Sequence, residues 1–375
     1  MRRLNMAEAV CLVAGAGIGG GVMALPYLAA ETGFGPAVFA MLAAYAVTVT
    51  LHIMVAELSI RTDYSSELLT IFTKHLFRGK KIPRSAFYVF MAVTLVCNLA
   101  AYITGAGDIL ADLLDIPVIA AEILFFVCAA AVVFLGLKHV AVHETATLAV
   151  MLAILGFLAV RALTLPALQP FAPARWAPAP LLAVYGMAMF SLSSLFAVPQ
   201  AASGLRGEKR KLSLAVAIGL LINLAVMVIV TLAALLSSAP VTEVAIVGWA
   251  AALGGPARVF GSLFITLAML GTFWSISLQL SDMTKKYFRA GRVPAWLAAT
   301  APSFLLALLP ASGFLGLTRI AGGATAVIVA CMAVPAYRNA IRGADWLLLG
   351  NCGKSPVLRG AVAVMYLLMA AGSLL

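Results

Sequence analysis

Apolar runs of about 20 residues, the length that crosses a bilayer, recur along the whole chain and are separated by short polar clusters. Within each run the apolar positions are continuous. A membrane barrel would instead alternate apolar and polar residues in segments of about ten, so the pattern predicts helices. Eleven spans are predicted, at 6–30, 35–60, 85–111, 117–136, 141–164, 180–203, 212–236, 257–284, 294–310, 314–336 and 357–375. The stretch 63–83 is polar with apolar residues interspersed. It predicts a short amphipathic helix, read as a connector between spans two and three with a membrane-surface role as the alternative. The proline-rich stretch 165–180 is the clearest loop.

Composition agrees with a polytopic membrane protein. Of 375 residues, 63% are hydrophobic and 10% charged, with a mean hydropathy of +1.07; soluble domains hold about 25% charged residues. The net charge of +11 does not suggest nucleic acid, because the basic residues sit in clusters between spans. With the N-terminus inside, 21 of the 25 Lys and Arg fall on the cytoplasmic side, and only Arg161, Arg175, Arg258 and Arg319 fall outside. That asymmetry sets the orientation and leaves the C-terminus outside. The opening MRRLNMAEAV resembles the start of a signal peptide. The run after it is broken by glycine, carries Glu8 and precedes many more spans, so cleavage is not expected. Five scattered cysteines without CxxC spacing suggest no metal.

Two spans carry interruptions. Span one contains GAGIGGG (Gly15–Gly21), with five glycines in seven residues, then VMALP. Span six contains SLSSLFAVPQ (Ser191–Gln200). Aligned at an offset of 173 residues, Pro26 meets Pro199, Ala24 meets Ala197 and Ala29 meets Ala202. Each interruption opens a set of five spans. Because five is odd, the second set starts on the opposite face of the membrane, which is the pattern of an inverted repeat. Glycines four apart also serve close helix packing, but so many in succession predict a break over Gly15–Gly21. Freed backbone groups survive in a membrane only where protein or a polar cavity surrounds them. A half-helix starting near Val22 would aim its amides at a carboxylate. A half-helix ending near Ala14 would offer carbonyls to an ammonium group or a cation. Together these suit an α-amino acid.

GAGIGGGVMALPYLAAETGF resembles the first span of the amino acid–polyamine–organocation superfamily, and within it the amino acid/auxin permeases and aromatic amino acid permeases. Gly15, Ile18, Gly19, Gly21, Leu25 and Pro26 carry the resemblance; MFSLSSLFAVPQ resembles the family's sixth span more loosely. The resemblance implies an all-α, LeuT-like five-plus-five inverted repeat (1–164 and 180–336) with an extra C-terminal helix (344–375). It implies one chain as the transport unit in the cell membrane, a small-molecule amino acid as substrate, no cofactor, and Na⁺ or H⁺ as the coupling ion. By that resemblance the carboxylate rests on Gly19, Gly20 and Gly21. The amine meets carbonyls near Ala14, Gly15, Ala16 and Gly17 in span one and Phe190 and Ser191 in span six, and Ile18, Ser193 and Ser194 are counted to the same substrate site.

Further candidates come from residue type and position. Asn98 and Tyr102, four apart in span three, share a helix face and read either as substrate contacts or as an interhelical hydrogen bond. Phe273 and Trp274 of span eight, with Phe190 and Leu195, read either as a side-chain pocket for small apolar or aromatic amino acids or as plain packing residues. The resemblance to sodium-coupled relatives implies that an eighth-span hydroxyl, here of Thr272, Ser275 or Ser277, joins the carbonyls of Gly15 and Ile18 around a sodium ion; alternatively these hydroxyls bond back to their own helix. Five residues are proton-relay candidates because ionisable groups in or near spans are costly: Glu57, Glu122, His143, Glu144 and Asp282. Glu57 and Asp282 read equally well as salt-bridge partners at the cytoplasmic ends, and His143 with Glu144 as a solvated pair at the start of span five. The expected function is a cation-coupled amino acid transporter. A sensor on the same fold would need a sizeable soluble segment, an enzyme would need clustered His, Asp or Cys, and a channel would not need the compact paired breaks.

Overall fold

The computed structural model describes residues 3–162, 164, 168–238, 240–241, 245–309 and 314–372. The start of the proline-rich loop, the junction before the tenth predicted span and the last three residues of the eleventh lie outside them. The described residues are helical, with no strand among them.

The first predicted span is two helices, α1 (Met6–Gly17) and α2 (Gly20–Thr32), bent by 53° at the break. Asn5 caps α1 in a reciprocal box with Glu8: the Glu8 amide donates to Asn5 Oδ1 at 2.8 Å, and the Asn5 amide to Glu8 Oε2 at 2.9 Å. Spans two to five are α3 (Phe34–Arg61), α5 (Lys81–Leu114), α6 (Val118–Leu135) and α7 (Leu137–Ala162), with the short connector α4 (Leu68–His75) between α3 and α5. The sixth span is again divided, into α8 (Pro178–Ser191) and α9 (Ala197–Gly204). Then come α10 (Lys209–Ser237), α11 (Ala245–Leu253), α12 (Pro256–Phe288), α13 (Arg292–Ala307), α14 (Phe314–Ala340) and α15 (Pro356–Gly372). The pattern of spans did not anticipate α11, a nine-residue apolar helix in a connection; it is too short to separate from its neighbours by periodicity.

Helices α3, α5, α6, α7, α10 and α12 are each long and apolar enough to cross a membrane, and α1 with α2 makes a seventh crossing. Burial ranks their positions. In α6 only 33% of the apolar window is inside the bundle, and in α12 72% is. So α6 offers Ile119, Ile123 and Val127 to lipid, while α12 runs through the middle. The chain is an integral membrane protein.

At one end, Gly33 turns α2 into α3 with φ of 80°. The extended segment 168–177 crosses above it, and a Cβ at Gly33 would stand 3.1 Å from the Ala172 and Pro173 carbonyls. The segment is held by the Arg175 amide on the Thr32 carbonyl (2.8 Å) and by rings, Phe171 on Phe34 and Trp176 on Phe39.

At the end that bears the basic clusters, Glu57 of α3 is fully buried. Its carboxylate accepts from Arg61 (2.6 and 3.0 Å), from the Tyr337 hydroxyl (3.2 Å) and from the Leu348 amide (3.1 Å). Glu57 is thus a structural hub: every lone pair in use meets a donor of the protein. Leaving Arg61 without its carboxylate in this half-buried seam should cost about 3 kcal/mol. Glu57→Gln is therefore expected to melt well below the wild type in detergent, and an unchanged melting curve would show that the hub carries no stability.

Candidate functional site

The two breaks face each other across one cavity. It is lined by Ala16, Gly17, Gly19, Gly20 and Gly21 from α1 and α2; Asn98 and Tyr102 from α5; Phe190, Ser191, Ser193, Ser194 and Phe196 around the second break; and Thr272, Ser275 and Ile276 from α12. Helix geometry explains the contributions. Asn98 and Tyr102 are one turn apart, as are Thr272 and Ile276, and each pair projects from one face.

The first break is narrower than GAGIGGG suggests. Only Ile18 and Gly19 leave the helix; Gly15 and Gly17 remain in the last turn of α1, and Gly20 and Gly21 form the first turn of α2. The reason is tertiary. A Cβ on Gly17 would run into Asn223 and stand 2.8 Å from Ser194 Oγ. One on Gly19 would come within 2.8 Å of Thr272 Oγ1 and 3.4 Å of the Tyr102 hydroxyl, and one on Gly21 within 2.9 Å of Phe190. The glycines let α5, α8, α10 and α12 close onto α1 and α2.

The backbone chemistry at the break is open. The residue just before α2 is Gly19, which has no side chain to cap the first-turn amides. Such amides have no partner inside their own helix, and they carry the positive end of the helix dipole. Facing them, the last-turn carbonyls of α1 carry the negative end. The Ala14 carbonyl is taken by the Ile18 amide at 3.2 Å, and the Ile18 carbonyl lies 3.4 Å from Thr272 Oγ1. Across the cavity, the Phe190 carbonyl accepts from the Ser193 amide at 3.0 Å. Ser194 Oγ donates to the Val13 carbonyl at 2.6 Å, tying the second break to α1.

The family model of the tryptophan/tyrosine permease family matches residues 2–342 of this chain. The chain belongs to that family. Among 167 matching chains of solved structures, the permease is similar to MhsT, in a crystal structure described as in complex with L-phenylalanine. That match has a TM-score of 0.71 over 100% of both chains, at 17% sequence identity. This shared architecture is the LeuT-like fold of two inverted five-span sets. A comparison with curated proteins returned no match.

Several expected residues of the permease are placed elsewhere. Ala14, Gly15 and Ile18 lie behind the cavity wall, and Gly15 faces Glu144. Phe273 and Trp274 do not line the cavity either. Phe273 packs edge-on against Phe125 of α6, with ring centroids 5.9 Å apart, and Trp274 lies beside His143. Both sit about 100–200° around α12 from Thr272, away from the polar face that carries Thr272 and Ser275, and they are packing residues. Ser275 reaches the cavity with its hydroxyl unpartnered among the described residues; Ser277 is equally buried and likewise unpartnered among them but stands off it. Thr272 bonds back to the Ala268 carbonyl at 3.2 Å as well as reaching Ile18.

The carboxylates separate in the same way. Asp282 accepts from Ser66 Oγ at 3.0 Å near the basic end, and Glu122 of α6 lies against Gly107 of α5. His143 and Glu144 are not a solvated pair. Helix α7 begins at Leu137 rather than 141, which puts Glu144 two turns inside it; consecutive side chains then diverge, leaving His143 exposed and Glu144 fully buried. Asn223 of α10 was missed altogether. It is fully buried against Gly17, and neither amide atom has a partner among the described residues. An asparagine in the middle of an apolar span was the signal available.

Proposed function

We propose that the protein carries α-amino acids, aromatic ones foremost, across the membrane by alternating access, driven by a proton or sodium gradient. The observation that carries this reading is the uncapped first turn of α2 opposite the carbonyl end of α1, both opening on one cavity. A zwitterion brings the missing partners to both: its carboxylate to the Gly19–Gly21 amides, its ammonium group to carbonyls around Ala16 and Gly17. Asn98, with its carbonyl oxygen unpartnered among the described residues, and Tyr102 add polar contacts, while Phe190, Phe196 and Ile276 provide apolar surface for the side chain. Membership of the tryptophan/tyrosine permease family and the phenylalanine complex of MhsT support an aromatic substrate. We take the moving parts to be the halves 1–164 and 180–336, with 344–375 outside both. One chain is the transport unit in the cell membrane, N-terminus in the cytoplasm and C-terminus outside, as the Lys/Arg asymmetry favours.

The test is uptake by proteoliposomes of labelled tryptophan, tyrosine, phenylalanine, leucine and alanine, with proton and sodium gradients imposed one at a time. Saturable uptake of the aromatic substrates that rises with at least one gradient is expected. Binding without uptake under every gradient would sink the transporter reading.

A further inference from the structure

The connector α4 and the turn after it have no part in the substrate cavity. Helix α4 buries Leu68, Leu69, Ile71 and Phe72 and turns Thr70, Thr73 and Lys74 outward. Arg78 and Gly79, at φ of 49° and 76°, then reverse the chain into α5. Thr70, Thr73, Lys74, Gly79 and Arg84 line an open cleft of 360 Å³ between the two helices, the size of a small-ligand site.

The cleft is positive and lacks a counter-ion. From Leu68 to Gly107 the chain holds Lys74, Arg78, Lys80, Lys81 and Arg84 and not one Asp or Glu. None of these basic residues forms an ion pair among the described residues. Lys74 Nζ donates to the Arg61 carbonyl at 2.7 Å, and the Arg84 guanidinium lies over the Tyr287 ring, 5.1 Å from its centroid. Both contacts hold the side chain in place and leave its charge without an anion. Two carboxylates stand near α4, and both are engaged. Glu67 is fully buried and bound by Lys286 (3.3 Å), by the Thr70 amide (2.9 Å) and by the Thr70 hydroxyl. Asp282 accepts from Ser66 Oγ at 3.0 Å and shares its surroundings with Lys285 and Lys286. In the cleft itself, Thr73 Oγ1 is buried and has no partner among the described residues. Burial, with Lys74 and Arg61 nearby, pushes the His75 imidazole down to about 4, so it stays neutral at pH 7.

The cleft also lies at the level of lipid headgroups. Helix α5 has 34 residues, about 51 Å at 1.5 Å per residue, against a hydrocarbon core of about 30 Å. Its first turns therefore stand in the polar layer. An exposed stripe of Ile82, Ala86, Val89 and Val93, spaced four, three and four apart, starts in the same turn as Arg84, and Ile82 is 84% exposed. Beside Arg84, Tyr88 stacks on Tyr287 at 4.2 Å and meets the exposed Phe288 edge-on at 5.4 Å. Aromatic clusters of this kind mark a membrane interface.

We propose that this cleft binds the phosphate group of an anionic phospholipid. Arg84 and Lys74 supply the charge, and a guanidinium can fork onto two phosphate oxygens. The free Thr73 hydroxyl donates to the same group. Basic pockets at the ends of membrane helices recognise anionic headgroups in this way. A free phosphate ion has the same chemistry, but the apolar stripe that starts in the same turn favours a ligand with acyl chains. The site needs only that the chain sits in a membrane, not that it carries an amino acid.

The test is titration of the purified full-length protein in nonionic detergent, read by native mass spectrometry. The probes are dioleoylphosphatidylglycerol, dioleoylphosphatidylcholine and inorganic phosphate. Phosphatidylglycerol should fill its tightest site about tenfold more tightly than phosphatidylcholine does. Arg84→Gln should weaken phosphatidylglycerol binding about tenfold and Thr73→Val about threefold. Arg289→Gln, which removes a charge at the same end but outside the cleft, should leave it within about twofold. Equal affinity for the two lipids, unchanged binding by R84Q, or an R289Q loss as large as that of R84Q overturns the site. Displacement of the lipid by an equal concentration of inorganic phosphate would make the ligand a free anion and overturn the lipid assignment. If R84Q does not fold, T73V decides: weakened binding supports the cleft, and wild-type binding overturns it.

Discussion

Tryptophan uptake by Gly20→Val is expected to fall about 100-fold while the protein stays folded. Gly20 is the first residue of α2 and faces the cavity. A branched side chain there covers the uncapped amides without disturbing the helix interior, since first-turn positions tolerate most residues. Two charge-assisted hydrogen bonds from backbone to carboxylate are worth about 1.5 kcal/mol each at the low end, which together make about 100-fold. The measurement is initial uptake at subsaturating tryptophan, alongside size-exclusion and thermal melting of the same preparation. A folded variant with wild-type uptake would remove the carboxylate from the α2 start and leave the cavity without its main recognition element. A variant that lost both folding and uptake would show that Gly20 is needed for packing, like its neighbours.

Gly15→Ala should behave in the opposite way, injuring the fold before the chemistry. Its new methyl would occupy the place of the Glu144 carboxylate, a side chain walled in on the other side by Gly271. Overpacking of this kind costs about 1–3 kcal/mol. Shortening the obstructing side chain should return most of it, so Gly15→Ala with Glu144→Ala is expected to melt above Gly15→Ala alone. The non-additive part of the double-mutant cycle measures the contact. Strictly additive losses would mean that Gly15 and Glu144 do not touch in the folded protein, and the seam between α1, α7 and α12 would have to be redrawn.

The contrast between these glycines marks how far the sequence could be read. A disturbed first span, a matching one five spans later and the apolar spans between them were all visible, because glycine, serine and proline act locally on the backbone. The role of each glycine was not visible. Gly15 and Gly17 look like Gly19 in a string of letters, but they stay helical and give room to Glu144 and Asn223, over 100 residues away. The orientation of α12 was legible: Thr272, Ser275, Gln279 and Asp282 recur at helical spacing as a polar stripe, and Thr272, Ser275 and Ile276 face the cavity while Phe273 and Trp274 turn away. For Glu144 the error was one of boundary. Four residues more at the start of α7 carried it from the solvent edge into the interior.

The hub at Glu57 has a consequence for how the protein is made. Its last donor, the Leu348 amide, lies 291 residues further along the chain. At about 5–20 residues per second, the second span waits about 15–60 seconds after its own synthesis before that partner emerges. During that interval the nascent chain holds Glu57 with Arg61 alone, one helical turn away. The i,i+4 pair therefore acts as a temporary guard that travels into the bilayer with its span, and the late arrival of Tyr337 and Leu348 turns a provisional bundle into a finished one. A ribosome stalled before residue 337 would leave this end of the bundle still unlatched.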